Sequence, residues 1–524
     1  MADAKTLEEP ALRGALNRTP PPSTVPVWDP WKEEAPHERT HRVKVDPKRE
    51  PPITGAIPKE LPATRFVTWD PWSHGLPNGV TPPEGYRGAS HSSHDAASFV
   101  PPASGRQDSG RRDAGDTITL PLIKVGENVP PLARRMSRLG TETAFDVLAR
   151  VKKLQAEGKS VLSFALGEPD FDTPTHVRES AKKALDEGQT HYGPSAGLDP
   201  LRKSIAKYIS RSRKISVDFD QVVVGPGAKP VLFDAMMALV DEGDEVIYPN
   251  PGYPIYESVA DFLGAKSVPL PLTEAKQFRF DLNDLAKVIS PKTKLLVVNT
   301  PANPTGGVLT KEDLAGVAEL ARKHNFWIIA DEIYSEILYI PEYASILQHA
   351  GMAERTVLID GFSKTFAMTG WRLGYGVMPK ALVPHVARIE TNVNSCTCTF
   401  AQLAAIDALD GPWTEAHRFR DEFEKRRDLI VAGLNAIKGV SCLKPDGAFY
   451  VFPNVTQACK NLGLKDSREF QDKALSDAGV AVLARTCFGR KNPGEEQEYI
   501  RLSYATSQEN IREGLKRLKA FCEK

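Results

Sequence analysis

The stretch Val357-Leu358-Ile359-Asp360-Gly361-Phe362-Ser363-Lys364 is an apolar run that passes without a break into polar residues, and it continues through Thr369-Gly370-Trp371-Arg372-Leu373-Gly374. Consecutive Val, Leu and Ile suit a strand buried on both faces, as in parallel sheets. The pattern recurs. Val222-Val223-Val224 runs into Gly225-Pro226-Gly227-Ala228-Lys229, Leu295 to Val298 into Asn299-Thr300-Pro301-Ala302-Asn303-Pro304-Thr305-Gly306, and Trp327 to Ala330 into Asp331-Glu332-Ile333-Tyr334. Val246 to Tyr248 is a further short apolar run, and amphipathic stretches such as Phe145 to Glu157 and Thr175 to Glu187 read as helices. Alternation of this kind predicts an α/β fold, a mostly parallel sheet with helices on both faces.

Outward from this centre the texture changes twice. Beyond Ala401 the pattern is helix-rich, with a charged helix from about Trp413 to Ile437 and short strands around Gly447 to Phe452 and Tyr499 to Tyr504, which reads as a second, smaller domain. Residues 1–115 hold close to half of all the prolines and no sustained apolar periodicity, so they read as a disordered tail. That tail repeats Trp-Asp-Pro-Trp, at Trp28 to Trp31 and Trp69 to Trp72, and so carries four of the seven tryptophans. Aromatic anchors of this kind suit docking on a peptide-type partner or on the enzyme's own surface; an old duplication without a role is the other reading. The expected boundaries are 1–115 for the tail, 116–160 for an N-terminal arm and part of the small domain, 161–410 for the large domain and 411–524 for the small one.

Composition narrows the classes. Across 524 residues Lys plus Arg equals Asp plus Glu, 67 against 67, so no whole-chain field favours nucleic acid or an anionic membrane. No apolar run reaches membrane-spanning length, and Asp3, Glu8 and Glu9 argue against a mitochondrial presequence, so the cytoplasm is expected. The six cysteines lie in the last quarter without paired metal-ligand spacing and read as free thiols; no metal is expected, and the lone Cys396-Thr397-Cys398 reads as ordinary residues.

In open α/β sheets ligands bind beyond the carboxyl ends of strands, which is where the polar segments quoted above fall. The glycine loop ahead of the helix predicted from Pro230 to Leu239 either offers backbone N–H groups to a phosphate or is a turn. A carboxylate, an amide, a phenol, a lysine and an arginine (Asp331, Asn303, Tyr334, Lys364, Arg372) are expected to meet at one sheet edge.

With Gly167-Glu168-Pro169-Asp170-Phe171-Asp172-Thr173-Pro174 upstream and Arg501-Leu502-Ser503-Tyr504-Ala505 downstream, residues from about Leu132 to Phe521 resemble the class I/II aminotransferases of fold type I, most closely the bacterial aspartate aminotransferase branch. The resemblance implies a seven-stranded large-domain sheet, a smaller α+β domain and pyridoxal 5'-phosphate as cofactor. It implies that Lys364 holds the cofactor covalently and shuttles the proton, a task for which a lysine needs a lowered pKa. Asp331 is matched to the carboxylate on the pyridine nitrogen, Asn303 and Tyr334 to the groups on the ring's phenolic oxygen, and Tyr253 either to an aromatic stacked on the ring or to core packing. For the phosphate the implied ligands are Gly227, Ala228, Arg372, Ser363 as a further candidate, and Tyr192 reaching over from a partner subunit, which makes the protein a homodimer with shared active sites. Arg501 matches the arginine that grips the substrate α-carboxylate, with the backbone at Gly167 closing the same site. Lys229 is matched either to a contact with the distal carboxylate of an acidic donor or to a cation of the phosphate loop.

Two positions depart from the family pattern. Gly361 stands where many relatives have a Ser or Thr phosphate ligand. Ala484-Arg485 replaces a typical Pro-Gly turn after Val480 to Leu483, so Arg485 is expected to be strained or to sit in a remodelled loop, with its charge facing the substrate pocket. The expected reaction is amino transfer between an L-amino acid, aspartate or glutamate favoured, and a 2-oxo acid. The alternatives are a fold-type-I C–S lyase or related synthase, and a non-catalytic or regulatory protein that recruits partners through its tail.

Overall fold

The computed structural model describes residues 130–524; the expected tail and its two Trp-Asp-Pro-Trp motifs lie outside the described residues. Seven strands form the main sheet: β1 Val222–Gly225, β2 Glu245–Asn250, β3 Lys266–Pro271, β4 Thr293–Asn299, β5 Trp327–Asp331, β6 Thr356–Gly361 and β7 Gly374–Val377. Their spatial order is β1-β7-β6-β5-β4-β2-β3. β7 runs antiparallel to both β1 and β6, and every other pairing is parallel.

The apolar runs explain the layering. Successive residues of a strand point to opposite faces, and in β4 Leu295 and Val297 join one core cluster while Leu296 and Val298 join another. Helix Ala228–Leu239 supplies Val231, Leu232, Ala235 and Met236 to the first face, and helix Lys311–His324 supplies Leu314, Val317 and Ala318 to the second. That second helix is well specified locally: Thr310 and Asp313 form a capping box, Arg322, Lys323 and His324 fill the last turn, and Asn325 closes it at φ 54°.

The C-terminal part holds a three-stranded antiparallel sheet, Leu483–Ala484, Ile500–Ser503 and Tyr450–Val451 in that order, packed with helices Thr414–Asn435 and Gln508–Cys522. Leu162–Ser163 pairs in parallel with Val480–Ala481, so these two residues sit with the C-terminal strands, across the boundary expected at 161. The strands β3 and β7 were not expected from the apolar pattern.

Among the described residues no helix is long and apolar enough to cross a membrane, and no group of His, Cys, Asp or Glu is placed to hold a metal. All six cysteines are free.

Candidate active site

A cavity of about 620 Å³ opens at the carboxyl ends of the central strands. Of the residues singled out in the sequence, Gly167, Ala228, Lys229, Tyr253, Asn303, Asp331, Tyr334, Ser363, Lys364, Arg372 and Arg501 all line it. Gly227 is one residue outside the lining and borders Arg372. Tyr192 is not in the lining and is 88% exposed.

Lys364 follows the end of β6, and its Nζ donates to the carbonyl of Gly167 at 2.7 Å. Enclosure draws its pKa down from 10.5 to about 8; Glu168 opposes the fall and Arg501 reinforces it. A neutral amine is therefore accessible near physiological pH. Gly167 itself admits no side chain, because a Cβ there would stand 2.1 Å from the Tyr450 hydroxyl.

Asp331 closes β5 and is buried. Burial raises its carboxyl to about 6, against the Tyr256 hydroxyl, which donates to Oδ2 at 2.7 Å, and the Ile333 amide, which donates to Oδ1 at 3.3 Å. Both donors are neutral, and no Lys or Arg pairs with Asp331 among the described residues. Behind it lies a buried ionic knot: Arg213 donates to Glu332 at 2.8 Å, to Asp360 at 3.1 Å and to Ser335 at 2.7 Å. Arg213 thereby ties the residue after Asp331 to the end of β6, four positions before Lys364, as outer partners of a site commonly do. Burial pushes Asp360 up to about 7, with Arg213 pulling the other way.

The remaining walls come from far along the chain. Tyr334 and Tyr450 share a hydrogen bond between hydroxyls at 2.8 Å. Arg501, in the strand Ile500–Ser503, is buried, donates to Asn303 Oδ1 at 3.2 Å and to the Ala165 carbonyl, and lies 4.5 Å from the centre of the Tyr450 ring. Its Nε has no partner. Lys229 pairs with Glu142, which also accepts from the Tyr253 hydroxyl at 2.9 Å.

The donor set fits a phosphorylated cofactor with a protonated ring. Asp331 is a buried carboxylate with no cation in direct contact, which a protonated ring nitrogen would supply. Gly227 adopts φ 121° at the start of helix Ala228–Leu239, which has no side-chain cap, and a Cβ on Gly227 would stand 2.5 Å from the Arg372 guanidinium. Uncapped first-turn N–H groups beside an arginine make a phosphate cradle.

Arg485 departs from its expectation. It is fully buried and does not line the cavity: Nε and Nη2 donate to Glu495 at 2.6 and 2.8 Å, and further bonds reach Asn250 Oδ1 and the carbonyls of Gly489 and Arg490. It is also absent from the residues with positive φ. The loop is remodelled around an ion pair without backbone strain at Arg485. Glu142, Glu168, Tyr256 and Tyr450 belong to the site but were not singled out. Glu168 had a local signal, since it lies inside the Gly167 to Pro174 motif, and the other three carried none.

Comparison with known proteins gives the family. The family model described as aminotransferase class I and II matches residues 159–518. The chain is 40% identical over 364 residues to an aspartate aminotransferase of Pyrococcus abyssi, covering 69% of this chain and 91% of that protein. It is 38% identical to an aromatic-amino-acid aminotransferase 2 of Thermococcus litoralis, covering 69% and 91%. Among solved structures, the aspartate aminotransferase of Rhizobium meliloti superposes with TM-score 0.71 at 34% identity, covering 75% of this chain and 99% of that one.

Proposed function

The chain belongs to the class I and II aminotransferases, and from that premise we propose which residues carry the reaction and which donors they favour. The protein is a pyridoxal-phosphate-dependent aminotransferase that moves an amino group between an amino acid and a 2-oxo acid. When bound, pyridoxal phosphate supplies the electron sink that makes the donor's α-proton removable and carries the amino group between the two half-reactions. Convergence of Lys364, Asp331, Tyr334, Arg372 and Arg501 on one cavity is the observation that carries the assignment of roles.

Lys364 would hold the cofactor covalently and would take and return the proton at the donor's α-carbon; a pKa near 8 suits both tasks. Asp331 keeps a proton on the ring nitrogen. Tyr334 and the free amide Nδ2 of Asn303 hydrogen-bond the ring's phenolic oxygen, while Tyr253 provides an aromatic face. Arg372, the amides from Gly227 into the helix, and Ser363 bind the phosphate. Arg501 grips the α-carboxylate of every donor in a fork, with the Gly167 backbone closing over it.

For donors, we read Lys229 as the contact for a second carboxylate, which favours aspartate or glutamate with 2-oxoglutarate or oxaloacetate. The homodimer reading is supported by Tyr192, exposed on a loop tied to residues 395–399 through Ser195 and Thr399, and by further exposed apolar side chains such as Phe145 and Val393. Six free thiols support a reducing compartment such as the cytoplasm. Borohydride reduction of the holoenzyme followed by peptide mapping tests the central role. The label is expected on Lys364 and absent from Lys364→Ala, and a label on another lysine would overturn the assignment.

A further inference from the structure

The cavity contains an acidic side chain that none of these roles uses. Glu142 stands just before helix Ala144–Ala156, and its side chain is 23% exposed. Its Oε1 accepts from Lys229 Nζ and from the Tyr253 hydroxyl, and Lys229 in turn lies 5.2 Å from the centre of the Tyr253 ring. Three segments distant in sequence therefore close on one carboxylate oxygen, in the wall of the cavity that contains Lys364 and Arg501.

A lone lysine in that wall would offer an incoming side chain a fixed positive charge. Paired with Glu142 it offers less, because opposite charges in contact partly cancel at the distance of a third group. The same cancellation is felt at Lys364, where Glu142 and Lys229 act with opposite signs. We propose that Glu142 is a specificity-determining residue: it occupies the place on Lys229 that the second carboxylate of a dicarboxylic donor would take, so uncharged donors meet a neutral wall and acidic donors must displace it. The inference rests on the reading of Lys229 given above. Ala144, Phe145 and Leu148 add apolar lining for donors without a side-chain charge. Glu142 thus narrows the preference for acidic donors that Lys229 alone would give, without abolishing it.

The test measures binding rather than turnover, on holoenzyme, by calorimetry with two unreactive probes. Maleate presents two carboxylates, and 3-phenylpropionate presents one carboxylate and an apolar side chain. Glu142→Gln should tighten maleate about fivefold, the scale of a part-exposed ion pair, and change 3-phenylpropionate less than about twofold. Glu142→Ala should do the same. In a Lys229→Ala background, Glu142→Gln should leave maleate unaffected, since the two residues act as a unit. If Lys229→Ala weakens maleate but neither Glu142 variant tightens it, or if both probes tighten equally, the role of Glu142 is overturned while that of Lys229 stands. If Lys229→Ala leaves maleate unchanged, the reading of Lys229 falls, and the inference with it.

Discussion

The amine of Lys364 hydrogen-bonds the carbonyl of Gly167 across 2.7 Å, which joins the end of β6 to a segment that lies with the C-terminal strands. Enclosure at this junction lowers the lysine pKa to about 8. Capture of added cofactor by the apoenzyme needs the neutral amine, so its rate should climb with pH and level off above about 8. Stopped-flow absorbance follows it. A rate still rising tenfold per unit at pH 10 would mean an ordinary solvated lysine.

Asp331 and Tyr256 give a second pH effect. Burial raises the carboxyl to about 6, and the tyrosine hydroxyl restrains the rise. Tyr256→Phe removes the restraint, so the charged carboxylate survives only at higher pH. The acidic limb of kcat/KM should move upward, with activity at pH 6 losing more than activity at pH 8. Asp331→Asn should cost at least about 10²-fold in kcat, the scale of losing one preorganised electrostatic contact, while borohydride still labels Lys364.

Arg501 should matter to all donors alike. Arg501→Leu removes the fork, and losing one partner of a charge pair costs about 2–5 kcal/mol, roughly tens-fold to thousands-fold in kcat/KM. Alanine, aspartate and phenylalanine should fall in parallel. Arg501→Lys keeps the charge without the planar fork, so it should recover only part of the loss.

Arg485 should behave in the opposite way. Its partner is Glu495, and it does not line the cavity. Arg485→Ala should therefore destabilise the fold by about 3 kcal/mol, as breaking a buried ion pair does, and leave the ratio of aspartate to phenylalanine efficiency unchanged. Denaturant midpoints and donor panels measure the two; a changed ratio would return Arg485 to the substrate pocket.

These contrasts also mark what could be read from residues alone. Strands β1, β2, β4, β5 and β6 were legible because each is buried on both faces and reads as a continuous apolar run. β3 was not, because Lys266, Pro269 and Pro271 break the pattern, as an edge strand permits. β7 was not, because two of its four residues are glycine. The residues of the main site were legible where they follow apolar runs, as Asp331 and Lys364 do, or stand in motifs, as Arg501 does. Glu142 and Tyr450 carry no such local mark. Their role arises only when the chain brings them against Lys229 and Arg501, 87 residues away in the first case. The expectation that the Arg485 charge faces the substrate pocket failed because its partner, Glu495, lies in a loop with no periodic signal.

The pairing of Leu162–Ser163 with Val480–Ala481 has a consequence for synthesis. A chain leaving the ribosome exposes Leu162 roughly 300 residues before Val480 exists, a delay on the order of 15–60 s at ordinary elongation rates. Within that interval the strands of the central sheet, which end at Val377, are all made, but Tyr450 comes only near its close and Arg501, which completes the pocket, only after it. A half-made chain therefore lacks the grip on an amino acid's α-carboxylate that the finished one has, and substrate binding is among the last properties the protein acquires.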